Sequence, residues 1–360
     1  MVIKTLREVS LKPLSASIVA IRIPAYQHHF YPAKMTAARF GQKFNNFNII
    51  QTIYKTVDSH DIRADILTPK SLDTTRKNPV IARFHGGGLS RGDSIYADWF
   101  PKWLLELAET HSAVIISPNY RLLPEATGVQ ILEDVDDFWT WLHSEALTKI
   151  LSPRQIDLDL DRVLAAGDSA GGILSIYLTL SYPDQLRAGT ATYPQLSWDP
   201  PAIFPPSVNA MNAEVPSSYI DEYLAGLSPG YVESSDLEVR RARLQFAISC
   251  HRRGPEFYTR GSEGSPYREK LFQLQRLEYP ETKLPRGGLV IIHGTDDDDV
   301  LAEVSERFIN KAKAILRGKQ GAENLVLCLR PGGHGFDVDT SFKEKWLGDS
   351  LRVAIDTWLE

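Results

Sequence analysis

An α/β fold around a mostly parallel sheet is what this 360-residue sequence predicts, on three observations. From about residue 50 onward, short apolar runs rich in β-formers alternate with segments of helical period. A G-x-S-x-G, Gly167-Asp168-Ser169-Ala170-Gly171, stands between one such run and the helix-like segment behind it. A histidine and three glycines, in "RFHGGGLSRGD" at 83–93, close an earlier apolar run. Strands alternating with helices are the pattern of parallel sheets covered on both faces.

The elements follow in order. "IIQTIYKTV" (49–57) and "IRADILTP" (62–69) read as two strands joined by the polar turn "DSHD". "PVIARF" (79–84) is a buried strand, "FPKWLLELAET" (100–110) a helix and "AVIISPNY" (113–120) another buried strand. The spacing of Ile131, Val135, Phe138 and Leu142 predicts one long amphipathic helix over 128–147. Then come the strand "DRVLAAGDS" (161–169), the helix "AGGILSIYLTLSY" and the strand "AGTATYPQL" (188–196). The chain closes with the strand "GLVIIHG" (288–294), a helix from Val300, the strand "NLVLCLRPG" (324–332) and the helix "EKWLGDSLRVAIDTWL".

Two regions break this rhythm. Residues 1–48 give helical windows such as "PAKMTAARFGQKF" without strand alternation. Residues 199–285 begin with "DPPAIFPP" and continue with helix-like segments such as "SSYIDEYLAG" and "EVRRARLQFAISC". A proline-punctuated insertion between core strands is where an appended subdomain sits. The expected layout is therefore a core of 49–198 and 286–360, with a cap contributed by 1–48 and 199–285.

Composition is that of an ordinary globular protein, 43% hydrophobic and 24% charged. A net charge of −5 argues against a nucleic-acid partner, which calls for a basic face. No window approaches the ~18 apolar residues of a membrane span, so no stable membrane insertion is expected. Two cysteines, Cys250 and Cys328, make no disulfide framework, and the N-terminal stretch is broken by Lys12, Pro13 and Arg22 where a signal peptide would be apolar. Together these fit a cytoplasmic protein; a homodimer is compatible with them.

The chemistry concentrates in four places. A sharp strand-to-helix turn at Ser169 would expose its hydroxyl at a helix N-terminus, as a nucleophile requires. A serine hydroxyl needs a base. His334, in "PGGHGFD" after the last strand, is set apart from the other histidines by its glycine-rich loop and its place after the acid. The acid that orients it should follow the preceding strand, where "HGTDDDDV" offers Asp296 to Asp299. Consecutive carboxylates cannot all face one ion, which argues against a cation site. Asp298 and Asp299 are expected at the next helix's N-terminus, where negative charge is favoured. The triple glycine fits an oxyanion loop: bare backbone approaches closely and its amides act as donors. The order serine, acid, histidine is that of α/β-hydrolases.

Taken together, "HGGG", "YRLLPE" (120–125), "GDSAGG" (167–172), "HGTDD" and "GGHGF" resemble, in this order, the hormone-sensitive-lipase-like branch of the α/β-hydrolases, over roughly residues 50–360. That resemblance implies an α/β-hydrolase fold with a helical cap and a carboxylic-ester hydrolase acting through an acyl-enzyme. It implies Ser169 as nucleophile, His334 as base and acid, Asp297 as orienting carboxylate, and the amides of Gly87, Gly88 and Ala170 as oxyanion donors. His85 would shape the loop, and Arg121 and Glu125 would be structural. No cofactor and no metal are required; the partner is a small-molecule ester. Where the family often has "DPL" around its acid, this chain has "DDDDV". Leu89, Tyr96 and Trp99 follow the glycines and are candidates to line the substrate pocket. Two other readings use the same fold: natural-product processing by deacetylation, product release or lactonisation, and a non-catalytic ligand receptor.

Overall fold

A computed structural model describes residues 42–204 and 215–360. Most of the expected N-terminal cap segment, and residues 205–214 of the insertion, lie outside the described residues.

The apolar runs form an eight-stranded sheet: β1 (Phe47–Val57), β2 (His60–Pro69), β3 (Asn78–Phe84), β4 (Val114–Pro118), β5 (Leu158–Gly167), β6 (Ala188–Thr192), β7 (Leu289–Gly294) and β8 (Leu325–Arg330). Their order is β1-β2-β4-β3-β5-β6-β7-β8. β1 and β2 pair antiparallel, as do β2 and β4; every later pairing is parallel. The hairpin turn between β1 and β2 places Asp58 at φ 47° and Ser59 at φ 66°. Positive φ at both central residues is the turn geometry that matches strand twist. β1 begins at Phe47, two residues inside the segment expected to be cap.

The helices are α1 (Lys102–His111), α2 (Gly128–Leu142), α3 (Glu145–Leu151), α4 (Ala170–Ser181), α5 (Ser218–Ala225), α6 (Ala242–Cys250), α7 (Gly254–Thr259), α8 (Gln273–Arg276), α9 (Ala302–Ile315) and α10 (Lys345–Leu359). The central strands are mostly apolar because both of their faces are covered. Val80, Ala82 and Phe84 enter one core, with Val163, Ala165, Leu289 and Ile291, under α2, α4 and α9. Ile81, Leu164, Ala166, Val290 and Ile292 enter the other, under α1 and α10. Side chains alternate between sheet faces, and here both faces are covered. Each fully buried Leu, Ile or Phe contributes roughly 1.5–3 kcal/mol.

The single helix expected over 128–147 is two. α2 starts on a reciprocal cap, Thr127 Oγ1 accepting from the Gln130 amide while Gln130 Oε1 accepts from the Thr127 amide. It ends at Leu142 because neighbouring side chains take its last carbonyls: His143 Nδ1 donates to Trp139 O and Ser144 Oγ to Trp141 O. Ser144 is extended (φ −91°, ψ 156°) and α3 begins after it. The stripe of Ile131, Val135, Phe138 and Leu142 is nonetheless buried as its spacing predicts. The strand expected over 188–196 stops at Thr192, where Tyr193 turns to φ 37° before Pro194.

Between β6 and β7 the described chain is helical, α5 to α8. It is anchored to the core by side chains: the Tyr267 hydroxyl donates to Asp136 on α2, which also accepts from Tyr177 and Tyr182. Among the described residues, no helix is long and apolar enough to cross a membrane.

Candidate active site

Ser169 caps α4 directly after β5, at φ 54° and ψ −118°. For a residue with a Cβ this backbone costs of order 1–3 kcal/mol and must be held by its surroundings. It is: the Ser169 amide donates to Thr192 O at 2.9 Å, and its carbonyl accepts from Gly172 and Gln195. Gly171 permits the tight turn, since a Cβ there would stand 2.1 Å from Phe84 O.

The loop after β8 brings His334 to this serine. Its Nε2 lies 3.0 Å from Ser169 Oγ, and its Nδ1 donates to Asp297 Oδ2 at 2.8 Å. A carboxylate oxygen only accepts, so the proton sits on Nδ1 and Nε2 is free to accept from the hydroxyl. The imidazole is 23% exposed, enough to be reached from outside, while the Asp297 carboxylate is fully covered. Burial disfavours the charged imidazole, but the Asp297 carboxylate outweighs it and raises the His334 pKa above its ordinary 6.5. Burial likewise opposes ionisation of Asp297; the His334 charge and hydrogen bonds from His293, His334 and the Val300 amide hold it well below the usual carboxylate range.

Of the four consecutive aspartates, Asp297 is the one that turns inward. Its Oδ1 accepts the amides of Asp299 and Val300 at 3.0 and 2.9 Å. Its Oδ2 also lies 3.3 Å from His293 Nε2. Asp296 instead accepts from the Gly332 amide. Asp298 and Asp299 fall short of the place expected for them: α9 begins at Ala302, and its first turn carries Glu303.

The triple-glycine loop runs against Ser169. A Cβ on Gly86 would come within 3.3 Å of Ser169 Cβ. Gly87 has φ 111°, and a Cβ there would stand 2.2 Å from Arg91 O, so only glycine fits. Ala170 opens α4, where the first amides lack intrahelical acceptors. Gly88 lies beneath α6 of the insertion; a Cβ on it would contact the Gln245 side chain at 3.5 Å. His85 is buried and stacked on Tyr120, with ring centroids 4.4 Å apart, and Nδ1 donates to Gly86 O. Burial brings its pKa down to about 4, so it stays neutral and shapes the loop. Of the residues expected to line a pocket, Leu89 and Tyr96 are buried; Trp99 is half-buried, under the Arg91 guanidinium.

Two supports were not singled out from the sequence. Asp168, inside the serine motif, accepts from Arg83 Nη2 at 2.8 Å and from the Gly86 amide at 3.0 Å. Arg83 also donates to Ser94 O and Trp99 O, so one buried cation joins the serine turn to the glycine loop. Below that loop, Arg63 bridges Asp65 and Asp93, and Asp93 accepts from Asn119 and Ser235.

The comparisons with known proteins agree with this architecture. A family model described as alpha/beta hydrolase fold matches residues 81–228. The chain is 28% identical over 335 residues to "Probable carboxylesterase M8" of Phoma sp., covering 88% of this chain and 98% of that one. It is 24% identical over 333 residues to the non-reducing polyketide synthase ausA of Emericella nidulans, covering 81% of this chain and 13% of that far longer protein. Among solved structures, a fungal esterase from Rhizomucor miehei superposes with a TM-score of 0.55 at 21% identity, covering 89% of this chain and 85% of that one, which bears on the fold. With an eight-stranded, mostly parallel sheet and the serine on the turn after its fifth strand, the chain has the α/β-hydrolase fold and resembles carboxylesterases of the hormone-sensitive-lipase-like kind.

Proposed function

We propose that Ser169, His334 and Asp297 are a catalytic triad that hydrolyses a carboxylic ester of a small molecule through an acyl-enzyme. The observation that carries this reading is the continuous chain Ser169 Oγ–His334 Nε2 (3.0 Å) and His334 Nδ1–Asp297 Oδ2 (2.8 Å). Oγ attacks the ester carbonyl as its proton passes to Nε2, and the carbonyl π electrons move onto oxygen. The amides of Gly87, Gly88 and Ala170 hold that oxyanion. Collapse expels the alcohol, which takes the proton from Nε2. Water, deprotonated by the same nitrogen, then attacks the acyl-enzyme, and Ser169 leaves with its proton restored. Asp297 keeps the proton on Nδ1 and stabilises the imidazolium. The described helices between β6 and β7 act as a cap beside the site, Gln245 lying against Gly88. Cys250 and Cys328 are both free thiols, in keeping with a cytoplasmic place for the enzyme.

The test is labelling by a fluorophosphonate, which bonds to an activated serine. Wild type is labelled at Ser169 and loses activity on p-nitrophenyl esters; Ser169→Ala is neither labelled nor active. Unlabelled, inactive wild type would instead indicate a ligand receptor.

A second reading keeps the chemistry and changes its purpose. Similarity to a polyketide synthase over most of this chain favours an oxygenated natural-product intermediate as the acyl or alcohol part. Deacetylation and hydrolytic product release resolve the acyl-enzyme with water as above, whereas lactonisation resolves it with a hydroxyl of the acyl chain itself. Comparing acetylated aromatic polyols with simple alkyl esters separates the two readings.

A further inference from the structure

We infer that Asp337 and Tyr193 are positioning residues for His334: the buried Asp337 carboxylate takes the Tyr193 hydroxyl and so seats the Tyr193 ring against the imidazole. The inference rests on the proposed roles of Ser169 and His334 and concerns residues outside the triad and the oxyanion loop.

Asp337 lies three positions beyond His334 and is fully buried. A buried carboxylate is costly unless hydrogen-bonded. Burial pushes this one up, and its two side-chain donors oppose that. Trp103 Nε1 on α1 donates to Oδ2 at 2.8 Å. The Tyr193 hydroxyl donates to Oδ1, also at 2.8 Å. An indole N–H can only donate, so Oδ2 is committed to α1 and the carboxylate plane is fixed with Oδ1 facing Tyr193.

Tyr193 in turn is placed to act on His334. It follows β6 with φ 37°, and its amide donates to Ile292 O at 2.7 Å, which ties its backbone to β7. Its ring centroid is 4.5 Å from that of His334, at 55°. The imidazole stands on a loop with positive φ at Gly332 (141°) and Gly335 (79°), so that loop alone does little to fix the ring. Asp297 constrains one edge of the ring by a hydrogen bond; rotation about that bond would still swing Nε2 away from Ser169. The Tyr193 ring blocks this rotation on one face. Packing alone would be served by phenylalanine. A hydroxyl held by a buried carboxylate adds a directional restraint from three elements: α1, the turn after β6 and the loop after β8.

The experiment measures kcat and KM on p-nitrophenyl acetate, the second-order rate of fluorophosphonate labelling, and Tm. Tyr193→Phe keeps the ring and removes the restraint. Its kcat and labelling rate are expected to fall about tenfold, KM staying within about twofold, because misplacing a reacting group costs rate and not binding. Asp337→Asn is expected to match it, and the double variant to fall no further than either single change, as for residues acting as one unit. Tyr193→Phe with wild-type kcat and labelling rate overturns the inference, whatever its Tm. Should Asp337→Asn not fold, Tyr193→Phe still decides. If Ser169→Ala retains turnover, the triad reading itself fails. If Ser169→Ala is dead and Tyr193→Phe is at wild-type level, the positioning inference alone fails.

Discussion

Glu125 and Arg241 meet as a buried, two-pronged ion pair, Nη1 to Oε1 and Nη2 to Oε2, each at 2.7 Å. One residue ends the "YRLLPE" turn after β4; the other precedes α6 in the insertion. The same guanidinium donates from Nε to Ser90 O at 2.7 Å and from Nη2 to Leu123 O at 2.8 Å. Ser90 follows the triple glycine, so the pair ties the insertion to the loop that faces Ser169.

Arg241→Ala should therefore destabilise the protein by about 3–5 kcal/mol, because it leaves Glu125 buried and uncompensated. Urea unfolding measures this. Arg241→Lys should not restore it, since an ammonium cannot reproduce a planar fork with five acceptors, the Tyr223 hydroxyl among them. A loss under 1 kcal/mol for Arg241→Ala would show the pair to be dispensable.

Among the aspartates, Asp297→Asn should lower kcat by about 10⁴, since the amide favours the wrong imidazole tautomer and cannot stabilise the imidazolium. Asp298→Asn should stay near wild type. The reverse outcome in steady-state kinetics would move the acid by one residue.

The pH dependence follows from the sign of the His334 shift. The base must be neutral to accept a proton, so kcat/KM should fall tenfold per pH unit below its pKa. The Asp297 carboxylate favours the charged ring and lifts that pKa, placing the acid limb above the ordinary 6.5. Removing the charge in Asp297→Asn should shift the limb to lower pH. An acid limb below 6.5 in wild type contradicts the geometry.

Gly87→Ala should cost roughly 10²–10³ in kcat, the scale of losing an oxyanion donor. Its φ of 111° and the 2.2 Å approach to Arg91 O force the loop to move. Normal turnover with an unchanged fluorophosphonate rate would show that the loop's amides do not face the reacting oxygen.

Much of this was legible in the sequence, and the reasons are local. Strands buried on both faces are apolar at most positions, so "PVIARF" and "GLVIIHG" announce themselves despite Arg83 and His293. Gly87 and Gly167 are dictated by backbone only four residues on, at Arg91 and Gly171. What stayed hidden depends on distant partners. Arg83 and Asp168 are 85 residues apart, Glu125 and Arg241 116, and Tyr193 and Asp337 144. Four adjacent aspartates look alike until the turn shows that only Asp297 presents one oxygen to two amides and the other to His334. The end of α2 was misjudged because His143 and Ser144 cap it with their side chains, which periodicity does not register.

The Arg83–Asp168 link bears on how this site could be altered by design. Mutating either partner alone strands a charge beneath the Ser169 turn and the glycine loop, so variants that survive should carry compensating changes at both. A library that randomises the serine motif while keeping Arg83 fixed would sample mostly dead proteins, whereas co-varying the two positions opens routes to a neutral, repacked support.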